Sequence, residues 1–142
     1  MLDPKLAGTT LLITGANHGI GAATARAFAA QGAKVFISYF RESTDYDADE
    51  LAKARADGIG GDEHYRAFQQ QTADRLLEEI QDHGGIAAAM EADLADVDNI
   101  PRLFDACEAH CGPVDILINN HTVCILETFD PSLTSDEGSG IF

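Results

Sequence analysis

The segment Thr14-Gly15-Ala16-Asn17-His18-Gly19-Ile20-Gly21 limits the fold of this chain more than any other stretch. A short β-rich run at residues 9–14 (TTLLIT) leads into it, and an alanine-rich helix at residues 22–31 leads out. In that context each glycine has a separate use. Gly15 permits a tight turn off the strand, and Gly19 lets backbone approach a ligand with no Cβ in the way. Gly21, followed by Ala22, Ala23 and Ala25, lets the helix pack close to a sheet. The helix start adds unpaired N–H groups and a positive partial charge. These are the features that hold the pyrophosphate of a dinucleotide. They make Gly15, Asn17, His18, Gly19, Ile20 and Gly21 the candidate binding residues of the turn.

The rest of the chain reads as alternating strands and helices. Gly32 ends the first helix, where a left-handed residue is commonly needed. Residues 34–40 (KVFISYF) form a second strand. Residues 41–65 carry eight acidic and three basic side chains, with Gly58, Gly60 and Gly61 close together. They read as a solvated insertion with a helical piece near residues 50–56. One helix then runs to about Asp82, burying Phe68, Leu76, Leu77 and Ile80, and Gly84-Gly85 closes it. Residues 86–91 are a third strand. Residues 98–111 are helical, with Ile100, Leu103, Phe104, Cys107 and Cys111 as the apolar stripe. Pro101 is tolerated in the first turn. Gly112-Pro113 stops that helix, and residues 114–119 (VDILIN) are a fourth strand. This alternation predicts an α/β fold with parallel strands and right-handed crossovers. Strands two to four lack polar alternation, so burial on both faces is expected. With 142 residues, a single domain is expected. The acidic, Ser/Gly/Pro-containing tail at 127–142 reads as a loop leading into more protein.

The end of the second strand bears on the choice of cofactor. An acidic residue there, roughly 20 residues past the glycines, selects NAD by bonding the ribose 2′-OH. This chain instead has Ser38-Tyr39-Phe40-Arg41, with no carboxylate before Glu42. Tyr39 can stack or donate, Arg41 can pair with a 2′-phosphate, and His18 can add a second contact. NADP(H) is the expected cofactor, with NAD(H) as the alternative. The competing reading makes Arg41 a loop residue paired with Glu42 or Asp45.

The threonine-led spacing of the turn resembles that of the short-chain dehydrogenase/reductase family, TGxxxGxG. Asp93-Leu94 after the third strand and Asn119-Asn120 ending the fourth match two further motifs of that family, in order. The resemblance covers about the first 125 residues. It implies a Rossmann-type doubly wound sheet with strand order 3-2-1-4, of which this chain holds the first four strands. It also implies that Asp93 and Leu94 lie against the adenine, and that Asn119 and His121 lie beside the cofactor. It further implies an oxidoreductase that interconverts a carbonyl and an alcohol by hydride transfer, for example of the 3-oxoacyl reductase kind, acting as a homo-oligomer when full length. His121-Thr122 replaces the family's Ala-Gly and crowds the cofactor wall, and the 41–65 insertion exceeds the usual link. In this family catalysis uses a Tyr and a Lys four residues apart, with a Ser upstream. The residues four beyond Tyr39, Tyr46 and Tyr65 are Ser43, Glu50 and Gln69, so no catalytic residue is named. The rival readings are a non-catalytic dinucleotide sensor and a Rossmann methyltransferase. Thr14 and Tyr39-Phe40 speak against the second.

A net charge of −15 argues against nucleic-acid binding. No apolar run long enough for a membrane span occurs, the N-terminus lacks a signal pattern, and three cysteines make no disulfide framework, so a cytoplasmic protein is expected. Cys107 and Cys111, with His110 beside them, have helical metal-ligand spacing, but their place on the apolar stripe favours core packing. Cys124 is likewise assigned to packing rather than to a reactive thiol. Asp115 reads as structural.

Overall fold

A computed structural model describes residues 4–122. Cys124 and the 127–142 tail lie outside the described residues. The elements are β1 (Thr10–Ile13), α1 (Gly19–Ala30), β2 (Lys34–Tyr39), α2 (Ala48–Asp57), α3 (Asp62–Gln69), α4 (Asp74–Asp82), β3 (Ala87–Glu91), α5 (Asn99–Cys111) and β4 (Ile116–Ile118). The strands form one parallel sheet in the order β3-β2-β1-β4, as the sequence implies. The register aligns Ile13 with both Ile37 and Ile118, and Tyr39 with Glu91, so the carboxyl ends of all four strands open on one edge.

Two apolar layers flank the sheet. Leu11, Ile13, Val35 and Ile37 pack with Ala22 and Ala25 of α1 and Leu76 and Ile80 of α4. On the other face Leu12 and Phe36 meet Leu103, Cys107 and Cys111 of α5. The alternation of side chains along β1 and β2 distributes these residues between the layers. At the amino end of the sheet the Asp115 carboxylate accepts from the Thr10 amide at 2.8 Å, the structural role expected of it.

Several expectations need correcting. The 41–65 segment is solvated, as expected, but its helical piece is longer than expected: α2 runs from Ala48 to Asp57, and the segment ends inside α3. Asp47 and Glu50 form a reciprocal capping box at the start of α2, and Gly58 ends it with φ +64°. The single helix expected up to Asp82 is two helices, broken between Gln69 and Asp74. Ala67 is the buried residue of α3, while Phe68 is only half-buried and takes the Arg55 guanidinium over its ring. The strands are shorter than expected, and β3 begins after an exposed Ile86. β2 is buried through its middle, but β3 and β4 are only partly so, and Leu117 is 46% exposed. They are the outer strands of the described sheet, so the expected burial on both faces holds only for the inner pair. Ile100 turns outward from the α5 stripe.

Candidate functional site

The glycine turn leaves the carboxyl end of β1 and enters α1, which begins at Gly19, earlier than the alanine run suggests. Gly15 has φ +62°, and a Cβ there would stand 3.0 Å from the His121 Cα. Gly19 has φ +56° and open space around the position of a Cβ. A Cβ on Gly21 would meet the Gly15 carbonyl oxygen at 2.6 Å and the Asn120 Nδ2 at 2.7 Å. The three glycines therefore divide the work: Gly15 and Gly21 let protein approach protein, and Gly19 leaves an unfilled cradle.

A cleft of about 330 Å³ opens over this turn. Gly15, Asn17, His18, Gly19, Ile20 and Gly21 form its floor, Asn120, His121 and Thr122 one side, and Phe40, Tyr65 and Gln69 the other. Ile20 is 80% exposed, with its side chain in the open beside the cradle. A larger cavity of about 590 Å³ lies at the amino ends of β2 and β3, between the ends of α1 and α4. Sheets of this kind bind ligands at the carboxyl ends of their strands, so the smaller cleft is the relevant one.

The β4 end is tied to the turn through Asn120. Its Nδ2 donates to the Thr14 and Gly15 carbonyls at 3.1 and 2.8 Å, and the Thr14 hydroxyl accepts from the amides of Asn120 and His121. The side-chain link from the end of β4 to the turn is thus made by Asn120, while Asn119 is exposed at the strand end. His121 brings its backbone against Gly15, so the residue expected to crowd this wall does stand there.

The α3–α4 connection buttresses the other side, which the sequence did not reveal. The buried Asn17 side chain donates to the carbonyls of Gln69 and Gln71 at 3.1 and 2.8 Å, and Gln71 Nε2 donates back to the Asn17 carbonyl at 3.0 Å. The Asn17 side chain is therefore occupied by protein, and only the remainder of the residue is available to the cleft. His18 packs edge-on against Tyr65 with ring centroids 5.7 Å apart, and burial lowers the imidazole pKa from its ordinary value. A histidine so placed favours its neutral form and is a poor fixed cation for a phosphate.

At the end of β2, Tyr39 packs into the α1/α4 layer. Burial first, then the Glu91 carboxylate, raise its pKa, against a smaller opposing effect of Arg41 and a hydrogen bond with the Ala73 backbone. Arg41 pairs with neither Glu42 nor Asp45. Its Nη2 lies 2.7 Å from Glu91 Oε2, its Nε reaches both Glu91 oxygens, and its backbone amide donates to Glu91 Oε1 at 3.2 Å. The hydrogen bond from Arg41 holds the Glu91 carboxyl below the usual range. Sequence spacing hid this pair because the carboxylate arrives from the neighbouring strand, in register with Tyr39. Beyond β3, Asp93 Oδ1 accepts from the Ala95 amide at 2.9 Å, and its carbonyl accepts from Asn99 Nδ2. Asp93 thus shapes the entry to α5, with the partly buried Leu94 packed against the α5 layer. Cys107 and Cys111 are buried free thiols in the same layer, and burial first, then Cys111 and Glu108, push the Cys107 thiol up to about 12.

A parallel sheet with a glycine turn opening into a helix at its carboxyl edge defines the Rossmann class of nucleotide-binding folds. Within that class, a family model described as short chain dehydrogenase matches residues 60–137, and one described as Enoyl-(Acyl carrier protein) reductase matches residues 15–62. The chain belongs to the short-chain dehydrogenase/reductase family. It is 37% identical over 120 residues to L-rhamnose 1-dehydrogenase (NAD(P)(+)) of Azotobacter vinelandii, covering 84% of this chain and 38% of that protein. A hydroxysteroid dehydrogenase structure from Escherichia coli superposes with a TM-score of 0.61 at 31% identity, covering 90% of this chain and 43% of that one. A blue fluorescent protein from a metagenomic library, solved in complex with NADPH, superposes with a TM-score of 0.60 at 26% identity, covering 93% of this chain and 43% of that one. The chain spans between 34% and 38% of the length of the curated relatives it matches. Among the described residues no helix is long and apolar enough to cross a membrane.

Proposed function

We propose that this chain is the cofactor-binding portion of a nicotinamide-dependent oxidoreductase that interconverts a carbonyl and an alcohol on a small substrate, with NADP(H) preferred over NAD(H). The open cradle at Gly19 carries the reading. It combines a left-handed glycine, free space where a Cβ would stand, and the amino end of α1 directly beyond. A pyrophosphate laid there would meet backbone N–H groups and the positive end of a helix, which together favour an anion. This local field operates within a molecule of net charge −15. The relatives, an NAD(P)(+) dehydrogenase and a protein solved in complex with NADPH among them, support the same cofactor class.

The family resemblance supplies the roles of the remaining candidates. Arg41 and Tyr39 would serve the ribose 2′ position, Asp93 and Leu94 the adenine, and Asn119 and His121 the nicotinamide side. When bound, the dinucleotide gives or takes the hydride. The residues of this chain hold and orient it. Fluorescence titration of the whole protein with NADPH and NADH tests the reading. Arg41→Ala is expected to weaken NADPH by about tenfold or more and NADH little, in line with the loss of a charge-assisted phosphate contact. Equal weakening of both would remove Arg41 from the 2′-phosphate site.

A further inference from the structure

We infer that Glu91 is a specificity-determining residue for the dinucleotide, a carboxylate from β3 that opposes the 2′-phosphate at Arg41 and so holds down the preference for NADP(H). This rests on the cofactor-binding reading above. The sequence offers no acidic residue at the end of β2, and on that ground alone Arg41 would present a free positive charge. In the folded chain the register of β3 on β2 sets Glu91 beside Tyr39, and its carboxylate takes the Nε–Nη2 edge of Arg41 together with the Arg41 backbone amide. A carboxylate is therefore present at the strand end after all, delivered from the adjacent strand.

The consequence is electrostatic. A dianionic 2′-phosphate approaching a lone arginine gains the full attraction of one positive charge. Approaching an Arg–Glu pair, it meets a group of zero net charge, and the attraction from one member is offset by repulsion from the other. The pair is part-exposed, with both side chains about a third open to solvent, so both terms act across partly screened surroundings. The ribose 2′-OH of NAD(H) carries no charge and is not penalised by the carboxylate. His18 does not supply the missing charge, because its burial favours the neutral ring. Asp74 also acts on Arg41, as a weaker influence than Glu91.

Glu91→Gln isolates the effect. The amide keeps one oxygen to accept from Arg41 and removes the charge together with one of the two acceptor oxygens. The measurement is the dissociation constant of NADPH and of NADH, by fluorescence titration of the whole protein in low salt, for the wild type and for Glu91→Gln. The expected result is a rise of about five- to tenfold in the affinity ratio favouring NADPH, the size of one partly screened unit charge nearby, with NADH affinity nearly constant. Glu91→Ser, which removes charge and length together, is expected to move the ratio the same way, and circular dichroism confirms that both variants are folded. An unchanged ratio in folded variants would overturn the inference by placing Glu91 out of range. A falling ratio would also overturn it, because the carboxylate would then be orienting Arg41 for the phosphate. If the wild type binds neither dinucleotide, the cofactor-binding reading itself fails, and the inference falls with it.

Discussion

At the scale of single residues, the glycine turn shows how one residue type does opposite jobs a few positions apart. Gly21 lacks a Cβ because backbone oxygen and the Asn120 side chain stand where it would go. Gly19 lacks one while nothing of the protein is near. Gly21→Ala should therefore destabilise the fold by about 1–3 kcal/mol, the usual cost of forcing atoms into a packed position. Gly19→Ala should cost about 1–2 kcal/mol of stability, from the left-handed backbone alone, but should weaken dinucleotide binding well beyond that. Urea denaturation and NADPH titration on the same two variants separate the effects. If Gly19→Ala lost stability but bound NADPH unchanged, the cradle would be empty of ligand. These roles were legible in the sequence because the turn is local: strand, glycines and helix are contiguous. Glu91 beside Arg41 was not legible, because the pair lies fifty positions apart in the chain and only the register of β3 on β2 joins them.

At the scale of elements, the alternation of strands and helices was readable from apolar runs and glycine stops, and the break between α3 and α4 was not. Gln70, Gln71 and Thr72 contain no glycine or proline, and each is tolerated in a helix. Tertiary contacts make the break. Asn17 draws the Gln69 and Gln71 carbonyls toward the glycine turn, and Thr72 Oγ1 accepts from the Asp74 amide at 3.4 Å just ahead of α4. The capping box at Asp47 and Glu50, by contrast, is a sequence signal, and it marks the start of α2 two residues ahead of the helical piece expected in the acidic segment. The hairpin of α2 and α3 is thus held to the sheet largely through the turn it overlooks. Asn17→Ala would leave two backbone carbonyls of the α3–α4 link without their donor. The expected cost is about 1–3 kcal/mol, typical of stranded polar groups, together with faster amide hydrogen exchange in residues 66–73 than elsewhere. Uniform acceleration across the chain, or none, would show that Asn17 is not the tether.

At the scale of the molecule, the sheet divides a small core into two layers of unequal make-up, and the α5 layer gives a direct handle on global opening. Leu12, Phe36, Leu103, Cys107 and Cys111 are buried together, and Cys107 has no measurable exposure. Its thiol is raised to about 12, chiefly by burial, so at neutral pH it is protonated as well as covered. Reaction with a thiol reagent needs the thiolate and access to it. Both arrive only when α5 leaves the sheet, which removes the cover of Phe36 and Leu12 and with it one whole layer. With Cys124 replaced by serine, labelling of the native protein at neutral pH should therefore be slow, and in urea its rate should rise with the same denaturant dependence as global unfolding followed by circular dichroism. Leu103→Ala should cost about 2–5 kcal/mol, the range for a large aliphatic side chain removed from a core, and should accelerate labelling by the factor that loss implies. Labelling that is fast in the native state, or independent of urea while the sheet remains intact, would mean that α5 opens by itself and that the two layers are separate cooperative units.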